Sequence, residues 1–226
     1  KAVREAKSHT SWTSPDDAYE QAVLDHARQV RDLPAVREAF AGWLRRTAPG
    51  VRATTLGTKL VQLTLPGVAD VYQGTEVPAV ALVDPDNRRP VDYAALSQSL
   101  DRLEEQQPRT LADEKLLVTS RALRARRAHP DAFVEETAGY QPLPSSSGNA
   151  LAFARTADGE PRVVTIATRL ALALERLGGW GDHTVALPEG GWHDALSGRD
   201  VPGGLVPLAQ LLETSPVALL VRSGQS

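Results

Sequence analysis

Two neighbouring stretches of the sequence concentrate side chains that can hydrogen-bond to a sugar. The first stretch, residues 67–76, ends with Tyr72, Gln73 and Glu76. The second stretch supplies Asp84, Asp86, Asn87, Arg88 and Arg89. Carboxylate, amide and guanidinium groups match sugar hydroxyls, because each hydroxyl both donates and accepts hydrogen bonds. An aromatic ring stacks on the apolar face of a pyranose. These residue types therefore predict a carbohydrate-binding site.

The residue types alone leave a structural alternative open for both stretches. A loop with an internal Asp–Arg ion pair and an Asp-capped turn explains residues 84–89 equally well. A buried tyrosine with a satisfied hydroxyl, together with a glutamate that caps the next turn, explains Tyr72 and Glu76. Even within a true binding loop, some side chains brace others rather than contact the ligand.

The first polar stretch follows a helix, a helix breaker and a short run of strand-forming residues. Leu65 closes an apolar helical stripe, Pro66 and Gly67 interrupt it, and residues 68–72 favour a strand. A helix followed by a short buried strand with polar residues at its carboxyl end is typical of a barrel strand that delivers groups to an active-site face.

The sequence upstream predicts three helices. The first spans residues 15–31 and begins at Ser14, Pro15 and two aspartates. The second begins near Asp32 or Leu33, tolerates Pro34 in its first turn and ends at Pro49-Gly50. The third carries Leu56, Leu60 and Leu63 on one face up to Pro66.

Two more helices are predicted downstream, followed by a change to strand-like sequence. Asp92 can cap the first of these helices, and Thr110 with Asp113 forms a capping box for the second, which should end near His129. From about residue 131, alternating apolar residues, the run 163–166 and paired glycines predict antiparallel strands, with residues 142–148 as a loop.

Composition limits the partners that the chain can have. The formal net charge is −3 over 226 residues, with both signs interspersed, which favours neither nucleic acid nor an anionic membrane. Cysteine is absent, so disulfides and thiolate metal sites are excluded. No apolar stretch approaches the ~18 residues of a membrane span. One basic cluster is interpreted as the solvated face of a helix: Arg121, Arg124, Arg126 and Arg127.

The histidines do not have the spacing of a metal site, so no metal and no cofactor are expected. Two His/Asp neighbours, Asp182-His183 and His193-Asp194, could suggest acid–base pairs. Both are interpreted as surface loops because they lie in turn-like sequence.

The order of the motifs resembles a known enzyme family. Residues 67–76 resemble the eighth-strand segment of the α-amylase family of (β/α)8 barrels. Together with residues 82–93 they resemble one branch, the maltooligosyltrehalose synthases. Residues 1–12 with Tyr19-Glu20, and residues 188–194 and 215–220 near the other end, agree with the same branch. The sequence departs from the family at Ala69, where proline is more common.

The resemblance implies an α+β fold in two parts. Residues 1–130 would form a helical half, made of an inserted helical region with the last strand and helix of an amylase-type (β/α)8 barrel. Residues 131–226 would form a C-terminal antiparallel β-sandwich domain. Because a complete barrel needs ~250 residues, the chain is expected to be the C-terminal piece of a larger cytoplasmic enzyme.

For function, the resemblance implies trehalose biosynthesis by intramolecular transglycosylation, in which the reducing-end α-1,4 linkage of a maltooligosaccharide becomes an α,α-1,1 linkage. The family's nucleophile and acid/base have no counterpart here, so no catalytic residue is assigned to this chain. It is expected to contact the maltooligosaccharide and the N-terminal barrel of the same enzyme. His9 and Trp12 join the candidate sugar contacts through the resemblance, although simple packing at a helix end explains them equally well. The alternatives are a fragment of an amylase-family hydrolase or glucanotransferase, and a non-catalytic carbohydrate-contact module.

Overall fold

A computed structural model describes residues 1–80 and 90–223 of the chain. The first five helices are α1 (Ala2–Ala6), α2 (Asp17–Asp32), α3 (Pro34–Thr64), α4 (Tyr93–Glu105) and α5 (Leu111–Ala128). Three short helices follow: α6 (Pro130–Phe133), α7 (Ala171–Arg176) and α8 (Leu208–Leu211). The strands are β1 (Ala138–Pro142), β2 (Ala150–Ala157), β3 (Glu160–Thr168), β4 (Thr184–Asp194), β5 (Asp200–Pro207) and β6 (Val217–Arg222).

The chain divides into two compact units. The first comprises Lys1–Ala48 and Ala79–Val91, and the second comprises Pro49–Pro78 and Asp92–Ser226. Helix α3 therefore contributes residues 34–48 to the first unit and 49–64 to the second. The division 1–130 and 131–226 stays a prediction about domains of the longer protein. Among residues 1–80 and 90–223, no helix combines the length and apolar character needed to cross a membrane.

Two helices begin at the capping residues that the sequence predicts. The Asp92 carboxylate accepts a hydrogen bond from the Ala95 backbone N–H at 2.9 Å. Thr110 and Asp113 form the predicted reciprocal capping box of α5. Helix α2 begins two residues later than expected, because Asp16 rather than Ser14 provides its cap. These caps are fixed by residues within one turn of each other, so the sequence reveals them directly.

The predicted helix break at Pro49-Gly50 is wrong, because α3 runs through both residues. A proline within a helix removes one backbone hydrogen bond and costs about 3 kcal/mol. The C-terminal half of α3 offsets this cost, since Leu56 and Leu60 are buried completely or nearly so. Gly50 meets a packing requirement instead, because a Cβ atom there would lie 2.8 Å from the side chain of Leu172 in α7.

The six strands of the second unit form one antiparallel sheet with the order β1-β2-β3-β6-β4-β5. The α+β class is confirmed, but the predicted β-sandwich is wrong for the described residues, because a sandwich needs two sheets. The last strand, β6, inserts between β3 and β4 and pairs with both. This pairing joins all six described strands into one sheet, where the resemblance had implied two.

Both faces of the sheet are buried, each by different elements. On one face, Val163 of β3 and Leu219 of β6 share an apolar cluster with Leu60 of α3 and Val118 of α5. We call this the helix-side cluster. On the other face lies the α8-side cluster, which contains the following residues among others: Val164, Ile166, Val185, Trp192, Leu208, Leu211 and Leu220. A single sheet can thus bury both faces without a second sheet, because helices cover one and α8 with neighbouring loops covers the other.

Candidate functional site

The segment that follows α3 carries the first group of predicted sugar contacts. Residues 68–72 form no strand in the described structure, so the strand prediction is wrong for this chain. A strand is stabilised by hydrogen bonds to a neighbour, and the six described strands all belong to the sheet that begins at Ala138. Val71 and Ala69 nevertheless pack against the helix-side cluster. The segment is therefore anchored by its side chains rather than by strand pairing.

Side chains from α3 and α5 hold the backbone of this segment at both ends. Arg126 donates from one guanidinium nitrogen to the carbonyl of Leu63 and from the other to the carbonyl of Gly67, each at 3.0 Å. Gln62 donates to the Asp70 carbonyl at 3.0 Å. Near the other end, the Lys115 ammonium donates to the Val77 carbonyl at 3.0 Å. Three helical side chains thus fix residues 67–77; we call this stretch the clamped segment.

These contacts correct the interpretation of the basic cluster on α5. Arg126 binds backbone carbonyls and lies 4.7 Å from the ring of Phe133. Arg121 and Arg124 both form ion pairs with Glu104, at 3.1 and 2.6 Å. The cluster is therefore not a single solvated face: part of it joins α5 to α4, and part holds the clamped segment.

A tight turn presents the polar residues of the clamped segment. The Tyr72 carbonyl accepts hydrogen bonds from the Thr75 backbone N–H at 3.0 Å and from the Thr75 hydroxyl at 2.6 Å. Gly74 adopts φ of 79°, which favours glycine. The Tyr72 side chain is half exposed, and Gln73 is exposed. This geometry leaves an aromatic ring and an amide free to meet a ligand.

Glu76 differs from its neighbours because one of its oxygens is buried. Within the described part of the chain, Oε2 of Glu76 has no hydrogen-bond partner although solvent does not reach it. Such a buried acceptor is costly unless a positive charge or a bound group compensates for it. The structure places two lysines in the electrostatic environment of this carboxylate, Lys59 of α3 and Lys115 of α5.

The pKa values of both lysines reflect this buried environment. Lys59 is only 6% exposed. Burial lowers its pKa, and the negative charges of Glu76 and Asp70 partly oppose the shift. Burial also lowers the pKa of Lys115, and the positive charge of Lys59 adds to the lowering. Two ammonium groups in this position create a positive field behind Glu76. Sequence reasoning missed them, although Lys59 lies three residues after Leu56 on the buried face of α3 and could have been noticed there.

His9 and Trp12 lie in the first unit, in local contact with neighbouring residues. The Trp12 indole N–H donates to Glu5 at 2.8 Å, and the guanidinium of Arg4 lies 5.4 Å from the Trp12 ring. The His9 ring centroid lies 4.9 Å from that of Tyr19. Trp12 remains about half exposed. A role for His9 or Trp12 in binding sugar stays a prediction.

The second polar stretch cannot be placed. Asp84, Asp86, Asn87, Arg88 and Arg89 lie outside the described residues. Their predicted contact with sugar therefore stays a prediction as well.

The two His/Asp neighbours have different outcomes. Asp182 and His183 are exposed and precede β4, as expected for a surface turn. His193 and Asp194 instead form the end of β4, so the surface-loop interpretation is wrong for them. Asp194 is 2% exposed and accepts backbone N–H groups from Leu196 and Leu219 at 3.1 and 3.2 Å. It secures the β4–β6 contact. Within the described residues, no cluster of three or more His, Cys, Asp or Glu side chains is arranged to hold a metal ion.

The fold is of the α+β class. Helices cover one face of a single antiparallel sheet, and two of them hold the polar clamped segment. Comparison with known proteins then shows which proteins this chain is similar to. Over 98% of its length the chain is 39% identical to proteins from two strains of Mycobacterium tuberculosis that are named as maltooligosyl trehalose synthases. The solved structure of the maltooligosyltrehalose synthase from Arthrobacter ramosus matches 98% of the chain with a TM-score of 0.84 and 38% identity.

A more distant structure, described as the DSM5389 glycosyltrehalose synthase, matches 98% of the chain with a TM-score of 0.72 and 26% identity. No protein-family model matches the chain. The chain spans 27% of the length of the curated relatives and 29% of the Arthrobacter ramosus chain. It is thus related, over nearly its whole length, to a part of the maltooligosyl trehalose synthases, and the resemblance found in the sequence is confirmed.

Proposed function

We propose that the chain is the C-terminal portion of a cytoplasmic α-amylase-family enzyme that converts the reducing-end α-1,4 linkage of maltooligosaccharides into an α,α-1,1 linkage. The observation that carries the proposal is the similarity along the whole chain, 39% identity to the curated relatives and a TM-score of 0.84 to a synthase structure. The remainder of the same enzyme would supply the other barrel strands.

The proposed reaction is an isomerisation in two displacements. In retaining enzymes a carboxylate attacks the anomeric carbon while a second carboxyl group, about 5 Å away, protonates the leaving oxygen. The released terminal glucose then turns, and its anomeric hydroxyl attacks the covalent intermediate, loses its proton to the second carboxylate and displaces the nucleophile. One glycosidic bond breaks and another forms, so no water is consumed and no cofactor is required. Both carboxyl groups belong to the part of the enzyme outside this chain.

The clamped segment is the part of this chain that we assign to substrate binding. Tyr72 would stack on a glucose ring, and Gln73 and Glu76 would orient its hydroxyls. One observation supports this assignment: the exposed Tyr72 and Gln73 side chains sit on a backbone that helical side chains fix. Fixed groups are what a subsite needs to hold a reacting sugar in position. In the complete enzyme, residues 68–72 would pair as the last barrel strand.

The sign of the change in reducing ends tests the proposed function. Joining two anomeric carbons removes one reducing end per reaction, hydrolysis creates one, and disproportionation between chains leaves the number unchanged. We expect the complete enzyme to lower the concentration of reducing ends in a maltopentaose solution. The total number of glucose units, free and linked, should stay constant. A rise would favour the hydrolase. An unchanged number with redistributed chain lengths would favour the glucanotransferase, and binding without any reaction would favour the contact module.

The 226-residue chain alone provides a matched control. It should neither form trehalosyl products nor release glucose, because covalent catalysis has no substitute for a missing nucleophile. Product formation by the pure chain above a heat-denatured sample would contradict the assignment of both catalytic carboxyl groups to the rest of the enzyme.

A further inference from the structure

The N-terminal half of α3 carries an apolar stripe that is largely exposed. Val36, Phe40, Trp43 and Leu44 follow the spacing i, i+4, i+7 and i+8, which places them on one face of the helix. We call this set the α3 stripe. A helix with such a face normally buries it. Here Phe40, Trp43 and Leu44 are 61%, 52% and 56% exposed.

The exposed area of the α3 stripe is comparable to the largest apolar patch of a typical soluble monomer. From the usual areas of aromatic and aliphatic side chains, the four residues present roughly 300–400 Å² of apolar surface. The largest apolar patch of a monomer is often functional. Arg37 and Arg46 lie on opposite edges of the stripe and are both exposed, and Arg37 also interacts electrostatically with Asp32. The surface therefore fits an apolar partner whose edges carry carboxylates.

The size of the stripe and the length of the relatives identify the partner. A stable association between two separate molecules usually buries about 800 Å² on each partner, which is more than this stripe offers. Packing within one polypeptide needs less area, because no translational freedom is lost. The chain spans only 27% of the length of its curated relatives, so most of the related enzyme lies outside it. A glucan is a poorer fit, because Val36 and Leu44 would leave sugar hydroxyls without hydrogen bonds.

We propose that the α3 stripe packs against an apolar surface, edged by acidic side chains, on the part of the enzyme that lies outside this chain. This inference rests on the proposed function only in placing the chain within a longer enzyme. The packing would fix α3 at its N-terminal half, as the helix-side cluster fixes it at its C-terminal half.

Hydroxyl-radical footprinting of the complete enzyme, read by mass spectrometry, tests the proposal without any mutation. Protection is the rate of side-chain oxidation in the denatured enzyme divided by the rate in the native enzyme. We expect about tenfold protection of Phe40 and Leu44, because their contacts open only by local unfolding. Leu177 and Leu205, which are 76% and 75% exposed, report how the reagent reaches uncovered leucines.

Each other outcome overturns the proposal. Oxidation of Leu44 at close to the denatured rate would mean that the stripe stays exposed. Protection that grows with enzyme concentration would assign the stripe to a second copy, and protection that requires added maltooligosaccharide would assign it to glucan. The measurement does not depend on activity, so it stands even if the reducing-end assay fails.

A pair of variants provides a second readout in the complete enzyme. Leu44→Asp should lower Tm by several degrees, because a charge would enter an apolar contact. Leu177→Asp should leave Tm almost unchanged. Equal Tm values for both variants would contradict the proposal.

Discussion

Replacing Arg126 with lysine should loosen the clamped segment while keeping the positive charge. The guanidinium of Arg126 donates to the carbonyls of Leu63 and Gly67, at 3.0 Å each, and lies 4.7 Å from the ring of Phe133. Leu63 belongs to the last turn of α3, where carbonyls lack helical partners. A lysine ammonium can reach one of these groups, but it cannot bridge both as a planar fork does.

The size of the effect follows from these contacts. A hydrogen bond from a charged donor contributes about 1.5–3 kcal/mol when it is buried, and the bond to Gly67 is exposed and therefore contributes less. Burial lowers the pKa of Arg126, which means that holding its charge in place already costs some stability. The Arg126→Lys variant should thus lose about 2 kcal/mol, equivalent to about 4–8 °C in Tm for a protein of this size.

Equilibrium urea unfolding of the 226-residue chain measures this loss, and Arg124→Lys on the same helix is the matched control. Arg124 forms only a surface ion pair with Glu104, so its replacement should cost at most about 0.5 kcal/mol. Hydrogen exchange should localise the effect of Arg126→Lys to residues 65–70, with roughly 30-fold faster exchange for 2 kcal/mol. Equal urea midpoints for the two variants would refute the role of Arg126 in holding the clamped segment.

Three further predictions concern other parts of the chain. The hydrogen bonds from Arg4 and Thr10 lower the pKa of Glu20 from 4.5 to about 2. Because the pKa of Glu20 in the folded protein lies below its ordinary value, the pair with Arg4 stabilises the fold above pH 4.5 and loses this effect as the pH falls towards 2. An NMR titration of Glu20 with a midpoint above pH 4 would contradict this. In the complete enzyme, the proposed stacking of Tyr72 would help to keep water away from the covalent intermediate, so Tyr72→Ala should raise the ratio of free glucose to trehalosyl product. Proportional loss of both products would contradict this. Leu60→Ala and Leu208→Ala each empty a fully buried position and should each cost about 2–5 kcal/mol. Only the Leu60 variant should also raise KM, because Leu60 supports the helix next to the clamped segment; equal KM values would contradict this.

Features that depend on a few adjacent residues could be predicted from the sequence. The caps at Asp92 and Thr110 and the end of α5 are local, and the structure confirms them. The break at Pro49-Gly50 was wrong because Gly50 is explained by Leu172, a residue far away in the sequence. The single sheet was also missed, since the insertion of β6 between β3 and β4 depends on long-range pairing that no local pattern encodes.

The candidate site shows the same division between local and long-range information. Residue types were enough to select Tyr72, Gln73 and Glu76. The lysines behind Glu76 were not selected: the position of Lys59 on the apolar face of α3 indicates burial, but only the packed structure shows that it lies in the electrostatic environment of Glu76. The hydrogen bond from Lys115 to Val77 joins elements separated by α4, so it too could not be inferred locally.

The sheet influences the clamped segment although none of its residues is a proposed sugar contact. Val163 and Leu219 on the sheet share the helix-side cluster with Leu60 of α3 and Val118 of α5. The same two helices carry Gln62, Lys115 and Arg126, whose hydrogen bonds fix the backbone of residues 67–77. Because protein interiors are close-packed, a displacement of either helix on the sheet is transmitted to those hydrogen bonds. The β part therefore acts as the support that sets the position of Tyr72, Gln73 and Glu76.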